Sequence, residues 1–238
     1  MTPGSRAHFG APILAPILGV DTCGPSGSVA LGRLAGRDLE ILGATELAGR
    51  TYSAMLVSAV AGLLESAGAS LAELGGIVVT SGPGSFTGVR VGLSAVKGLA
   101  ESAQIPVVPL SRLLVLARKA GVPSSALDAQ RGELYLRLES TGQDPVEILA
   151  GCVELKSLTP PVRIAVCDEA AAALLAFAWP STQIVRTAPP LAADALRLGE
   201  SRLVAGATVD LALLDGHYLR RSDAEISSEP AHAGSRKP

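Results

Sequence analysis

Aromatic side chains are scarce in this chain: three Phe, three Tyr and one Trp, 3% of its 238 residues. A platform that stacks single-stranded bases needs several aromatics on one surface, so that mode of binding is disfavoured. Histidine is equally thin. His8, His217 and His232 are the three present, and none lies three to five residues from another, which excludes a two-histidine metal motif. The three cysteines, Cys23, Cys152 and Cys167, are odd in number and widely spaced, with no C-x-x-C pair. They argue against a disulfide framework or a zinc site and fit a reducing compartment. Charge of one sign is missing too. Twenty Lys and Arg against 22 Asp and Glu give a net charge of −2, so a nucleic-acid role would be shared with a partner. No apolar run approaches the roughly 18–20 residues of a membrane span. The stretch FGAPILAPILGV (9–20) has the length of a signal-peptide core, but Pro12 and Pro16 interrupt it and Asp21 follows. It reads as a first strand behind a loose N-terminal extension. Neither a G-x-S-x-G elbow nor an H-E-x-x-H motif occurs, and the histidines leave a serine nucleophile without a base.

Hydrophobic residues make up 48% and charged residues 18%, a globular composition whose core is built from Ala, Leu and Val. Residues 13–20 read as a buried strand, DTCGPSGS as a turn, SVALGRL as the returning strand, and 38–45 as a third. TYSAMLVSAVAGLLESA (51–67) has helical spacing through Met55, Leu56, Ala59, Val60, Leu63 and Leu64. GIVVT (76–80) is a short strand, 87–102 a helix, VVPL a strand and SRLLVLARKAG a helix closed by Gly121. Strands alternating with helices imply a mostly parallel sheet with helices on its faces. A second unit begins near residue 122, with strands around a turn at Gln130–Gly132, strand candidates VEILAGCVEL, RIAVCD and QIVRT, and helices over 168–178 and 191–205. The division is therefore an extension over 1–12, a first lobe over 13–121, a second over 122–221 that returns a C-terminal helix to the first, and a disordered tail over 222–238.

The stretch VVTSGPGSFTGVRVGLSAVKGLA (78–100) carries the question of function. In GPGSFTG (82–88) the third glycine comes one place too late for G-x-G-x-x-G, and no Lys follows Gly88 as a P-loop requires. The loop is either a phosphate cradle or a tight turn. Gly82 and Gly84 supply positive φ in either case, Ser85 or Thr87 caps the helix, and free N–H groups at its start would face an anion. On the helix, Gly88 and Gly92 lie four apart, as do Ser94 and Gly98, with Ala95 beside them. Small residues at that spacing serve either packing on the chain's own sheet or a subunit interface. Asp21, before the turn at Gly24, either orients a magnesium ion and phosphates or forms an Asx turn. DAQRGELY (128–135) is a hairpin with charged residues near its turn.

Together ILGVDTCGPSGSVAL, SGPGSFTGVRVGLSAVKGLA, ALDAQRGELY and the late YLRR resemble the TsaB (YeaZ) family over roughly residues 13–221. The chain departs from the family pattern at Tyr52, where His is frequent, and at Gln130, where Arg is common. The resemblance implies a two-lobed actin-like, sugar-kinase-like ATPase (ASKHA) α/β fold, each lobe a mixed sheet flanked by helices. It implies a cytoplasmic, non-catalytic paralogue of TsaD, required to make threonylcarbamoyladenosine on the tRNA adenosine 3′ of the anticodon. Its partners would be a TsaD-like catalyst, a TsaE-like ATPase and, in isolation, a second copy, with tRNA reached only through the complex. The implied interface comprises Tyr52, Met55, Leu56, Ala59, Gly88, Val91, Gly92, Ala95 and Gly98. Asp21, Gly24, Gly82, Gly84, Ser85 and Thr87 would be a vestigial nucleotide site, binding ATP or ADP weakly if at all, with no cofactor or metal required. The competing reading is an actin-like-fold ATPase or small-molecule kinase acting on Mg-ATP through Asp21, with Asp128 the only further acidic residue well placed. A peptidase lacks both a nucleophile–base pair and a metal site.

Overall fold

The computed structural model describes residues 15–35, 38–49, 52–140 and 142–220. The expected extension and tail lie outside them, as does the side chain of Tyr52. The chain runs β1 (Ile17–Asp21), β2 (Gly27–Ala35), β3 (Asp38–Leu47), α1 (Tyr52–Ser66), β4 (Gly76–Thr80), α2 (Phe86–Ala103), β5 (Val107–Leu110) and α3 (Arg112–Lys119). It then repeats the order with β6 (Ser124–Asp128), β7 (Glu133–Leu138), β8 (Val146–Gly151), α4 (Cys152–Ser157), β9 (Arg163–Val166), α5 (Glu169–Ala178), β10 (Gln183–Arg186) and α6 (Ala192–Val204).

The two sheets have the same plan. The first is ordered β3-β2-β1-β4-β5 and the second β8-β7-β6-β9-β10. In each, the first three strands pair antiparallel and the last two join in parallel. The sheets are thus mixed, as the family resemblance implies, and not mostly parallel, as alternation alone suggested. Short turns link the first three strands of each half, and a short turn can join only antiparallel neighbours. The strand expected through VEILAGCVEL stops at Gly151. There the Glu154 carboxylate accepts the Gly151 N–H at 3.0 Å, and residues 152–157 coil into α4.

Alternation along the central strands divides the first core in two. Leu18, Val20, Ile77 and Val79 face α1 and α2, while Ile17, Val78 and Val108 face α6. The third helix of each half crosses over. α6 packs on the first sheet, seated where a Cβ on Gly19 would fall 2.7 Å from the Ala192 carbonyl and one on Gly199 would fall 2.5 Å from Val78. Meanwhile α3 sends Leu113 and Leu116 to the second sheet's core and Leu114 and Val115 to the first. The order of layers is α1/α2, first sheet, α6/α3, second sheet, α4/α5. The second lobe is the reduced copy: α4 has 6 residues where α1 has 15, and α5 has 10 where α2 has 18.

Candidate functional site: a neutralised cleft and a sparsely charged helix

Two places matter, the cleft between the lobes and the outer face of α1 and α2. The cleft, about 590 Å3, is lined by Cys23, Gly24, Gly84, Ser85 and Arg112 on one side and by Asp128, Gln130, Tyr135, Cys167 and Asp168 on the other. Asp21 lies beneath it, 2% exposed at the end of β1. Its Oδ1 accepts the Cys23 N–H at 2.8 Å, the Asx turn weighed from the sequence. Its Oδ2 lies 3.6 Å from Nε of Arg112, itself 7% exposed. The guanidinium reaches so close to the β1–β2 turn that a Cβ on Gly24 would fall 2.5 Å from it. A cation fixed in the fold therefore already faces the carboxylate that a magnesium site would use.

The loops of the first lobe are bound tightly together. The Ser85 N–H donates to the Cys23 carbonyl at 2.8 Å, and a Cβ on Gly84 would lie 2.2 Å from that oxygen. Ser85, not Thr87, caps α2 by accepting the Gly88 N–H at 3.2 Å, while Thr87 is exposed. Gly82 has φ +110° and its bond to Pro83 is cis. Across the cleft the Asp128 carboxylate accepts the Gln130 N–H at 2.8 Å, and Gln130, Arg131 and Gly132 all take positive φ. Burial, with the Asp21 charge second, pushes the Cys23 thiol up to about 12, and burial also raises that of Cys167. Neither is an activated nucleophile. His217 is engaged elsewhere, with Nε2 2.8 Å from Oε2 of Glu147. Among the described residues no three His, Cys, Asp or Glu side chains group as metal ligands, and no helix is long and apolar enough to cross a membrane.

On the outer face, α1 carries a single charge, Glu65, in YSAMLVSAVAGLLES. Leu56, Val60 and Leu64 turn into the core, yet Met55 is 47% and Val57 56% exposed. A surface helix ordinarily has a charged outer stripe, and this one does not. Beside it on α2, Val91 and Ala95 are half-buried and Gly98 is exposed with open space beyond its Cα. Ala59 is half-buried as well. Three of the expected interface residues belong instead to internal packing. Leu56 is 1% exposed; Gly88 is buried and its carbonyl accepts the Thr22 hydroxyl at 2.7 Å; and a Cβ on buried Gly92 would lie 2.2 Å from that hydroxyl. Small residues at helical spacing look alike whichever surface they meet. Arg112 and Val57 were missed in the sequence. The lack of charge along α1 was the available signal for Val57; nothing local marked Arg112.

Two related mixed sheets, each with helices on its faces and a cleft between them, define a two-lobed α/β protein of the actin-like, sugar-kinase-like class. Residues 45–151 match the family model for TsaD, tRNA N6-adenosine threonylcarbamoyltransferase. The chain is 35% identical over 125 residues to the Escherichia coli tRNA threonylcarbamoyladenosine biosynthesis protein TsaB, covering 50% of this chain and 52% of that one. It is 39% identical over 93 residues to the Bacillus subtilis protein of the same name, covering 37% and 41%. The matched stretches thus span about half the length, or less, of these curated relatives. A Pseudomonas aeruginosa crystal structure, described as an uncharacterized protein with similarity to peptidase YeaZ, superposes with a TM-score of 0.71 at 26% identity over 87% of this chain and 100% of that one. Over these stretches the chain is similar to the TsaB/YeaZ proteins, and its central part to the TsaD family.

Proposed function

We propose that this chain serves the formation of threonylcarbamoyladenosine in tRNA, on the adenosine 3′ of the anticodon, as a non-catalytic subunit. Its outer α1–α2 face docks a TsaD-like catalytic paralogue, a TsaE-like ATPase completes the assembly, and a second copy occupies the same face when the partner is absent. The observation that carries the reading is α1 itself. A helix with its inner stripe already satisfied by the core still exposes Met55 and Val57, and Glu65 is the one charged residue in its sequence. The arrangement in the cleft supports the non-catalytic part, because Asp21 faces Arg112 where a kinase would present a free carboxylate to a metal.

The test is purification from the native host with the co-purifying proteins identified by mass spectrometry, repeated with Met55→Asp/Val57→Asp. A TsaD-like protein and a small ATPase should accompany the wild type and be lost from the double variant, which stays folded because both positions are exposed. A chain that purifies alone and hydrolyses ATP would return the kinase reading to first place.

A further inference from the structure

The docking reading leaves unused a groove on the flank of α2. Beyond α6 the chain continues as a strap. Val209 bridges to Val107, Leu214 is buried in the core beneath α2, and the His217 N–H donates to the Ser81 carbonyl at 2.7 Å. Between this strap and α2 runs a groove of about 520 Å3, open to solvent. Phe86, Arg90, Ser94 and Lys97 form one wall, and Asp215 and Tyr218 stand on the other.

The groove is basic and partly pre-organised. The Arg90 guanidinium lies 4.0 Å over the Phe86 ring, and Phe86 also packs against Tyr218, with ring centroids 4.7 Å apart. Among the described residues Arg90 and Lys97 have no carboxylate partner, whereas the cations tucked against the lobes, Arg112, Lys119 and Arg137, are all paired. Arg220, which closes the groove, is bonded to Glu133, and Asp215 is the one acidic residue in the lining. Seven residues of helix separate Arg90 from Lys97, about 10 Å along the axis, farther than one phosphate group reaches. An open trough with cations so spaced suits a run of phosphates better than a single enclosed nucleotide.

We propose that this groove takes the phosphodiester backbone of RNA, so that the chain contacts RNA directly as well as through a partner. The inference rests on the docking reading and deepens it. The Arg90/Ser94/Lys97 stripe runs beside the Val91/Ala95/Gly98 stripe of the docking face, so RNA held by a docked partner would pass over it.

The test is fluorescence anisotropy with labelled, unmodified full-length tRNA, using the full chain alone and the complex isolated from the native host. Arg90→Glu/Lys97→Glu is compared with Arg197→Glu/Arg202→Glu, an equal charge change at exposed positions of α6 on the opposite face of the first sheet. The groove pair should lose at least about tenfold in affinity near 0.1 M salt and shed about 1.5 from the log–log salt slope, while the α6 pair stays within about twofold. A photo-crosslinker at exposed Ser94 should capture tRNA. Equal losses in both pairs, no loss in the groove pair, or displacement of tRNA from the wild-type groove by millimolar ATP would each overturn the proposal. Co-purification of a TsaD-like protein with the groove variant reads the docking hypothesis separately, because that variant leaves Met55 and Val57 untouched.

Discussion

Nε of Arg112 and Oδ2 of Asp21 face each other at 3.6 Å, both buried and neither with a hydrogen-bond partner. They are an ion pair held by charge and packing, without the directed bond that usually joins such groups. Removing one member leaves the other charge buried and uncompensated. Arg112→Met should therefore cost about 3 kcal/mol or more, and adding Asp21→Asn should recover a large part of it. A double-mutant cycle in urea measures this coupling. Under the non-catalytic reading, the Arg112→Met/Asp21→Asn double variant, which strands no charge and keeps an acceptor for the Cys23 N–H, should leave tRNA modification standing.

Two of the three glycines of α2 separate folding from docking. Gly92→Ala must push away the Thr22 hydroxyl, 2.2 Å from the new Cβ, and should lower stability by about 1–3 kcal/mol. Gly98 meets nothing within 4 Å, so Gly98→Ala should raise helix stability by up to about 1 kcal/mol. A bulkier Gly98→Leu should then keep or raise the Tm while weakening partner capture. Loss of Tm at Gly98 would show that its surroundings are closed.

Acid should loosen the join between strap and lobes. Burial by itself would raise the Glu147 pKa, but hydrogen bonds from His217, Ser111 and Arg137 outweigh it and hold the group below its ordinary 4.5. A carboxylate with a lowered folded-state pKa adds stability above its unfolded value and loses it as pH falls through the folded one. Urea unfolding from pH 6 downward should show stability falling below about pH 4.5, and Glu147→Gln should flatten that limb. An unchanged acid limb would remove Glu147 from the account.

Thiol reactivity should follow burial. Cys23, with its thiol pushed up to about 12, should resist Ellman's reagent at pH 8 until the chain unfolds, while half-buried Cys152 reacts in the native state. Rapid native labelling at Cys23 would mean that the β1–β2 turn opens readily.

Much of the architecture was legible from local pattern. Short apolar runs flanked by turn-forming Pro, Gly, Asp or Ser marked β1, β4 and β5, and the helical period over 51–67 and 87–102 located α1 and α2 within a residue or so. The misreadings have two causes, a local cap and a contact distant in sequence. Cys152–Leu155 continues an apolar strand pattern, and only the Glu154 cap on Gly151 turns it into helix. The glycines of α2 were read outward, yet Gly92 is fixed inward by Thr22, a residue far from it in sequence.

The sequence by itself determined most of the order of elements, the tight glycine loops and the sparse charge along α1, because each depends on neighbours a few residues apart. The tertiary structure alone decided that α3 reaches the second sheet, that Arg112 neutralises Asp21 and that Arg90 and Lys97 share a groove with the C-terminal strap. Periodicity says which face of an element is apolar but not which surface will cover it. Charges distant along the chain meet only where close packing brings their backbones together.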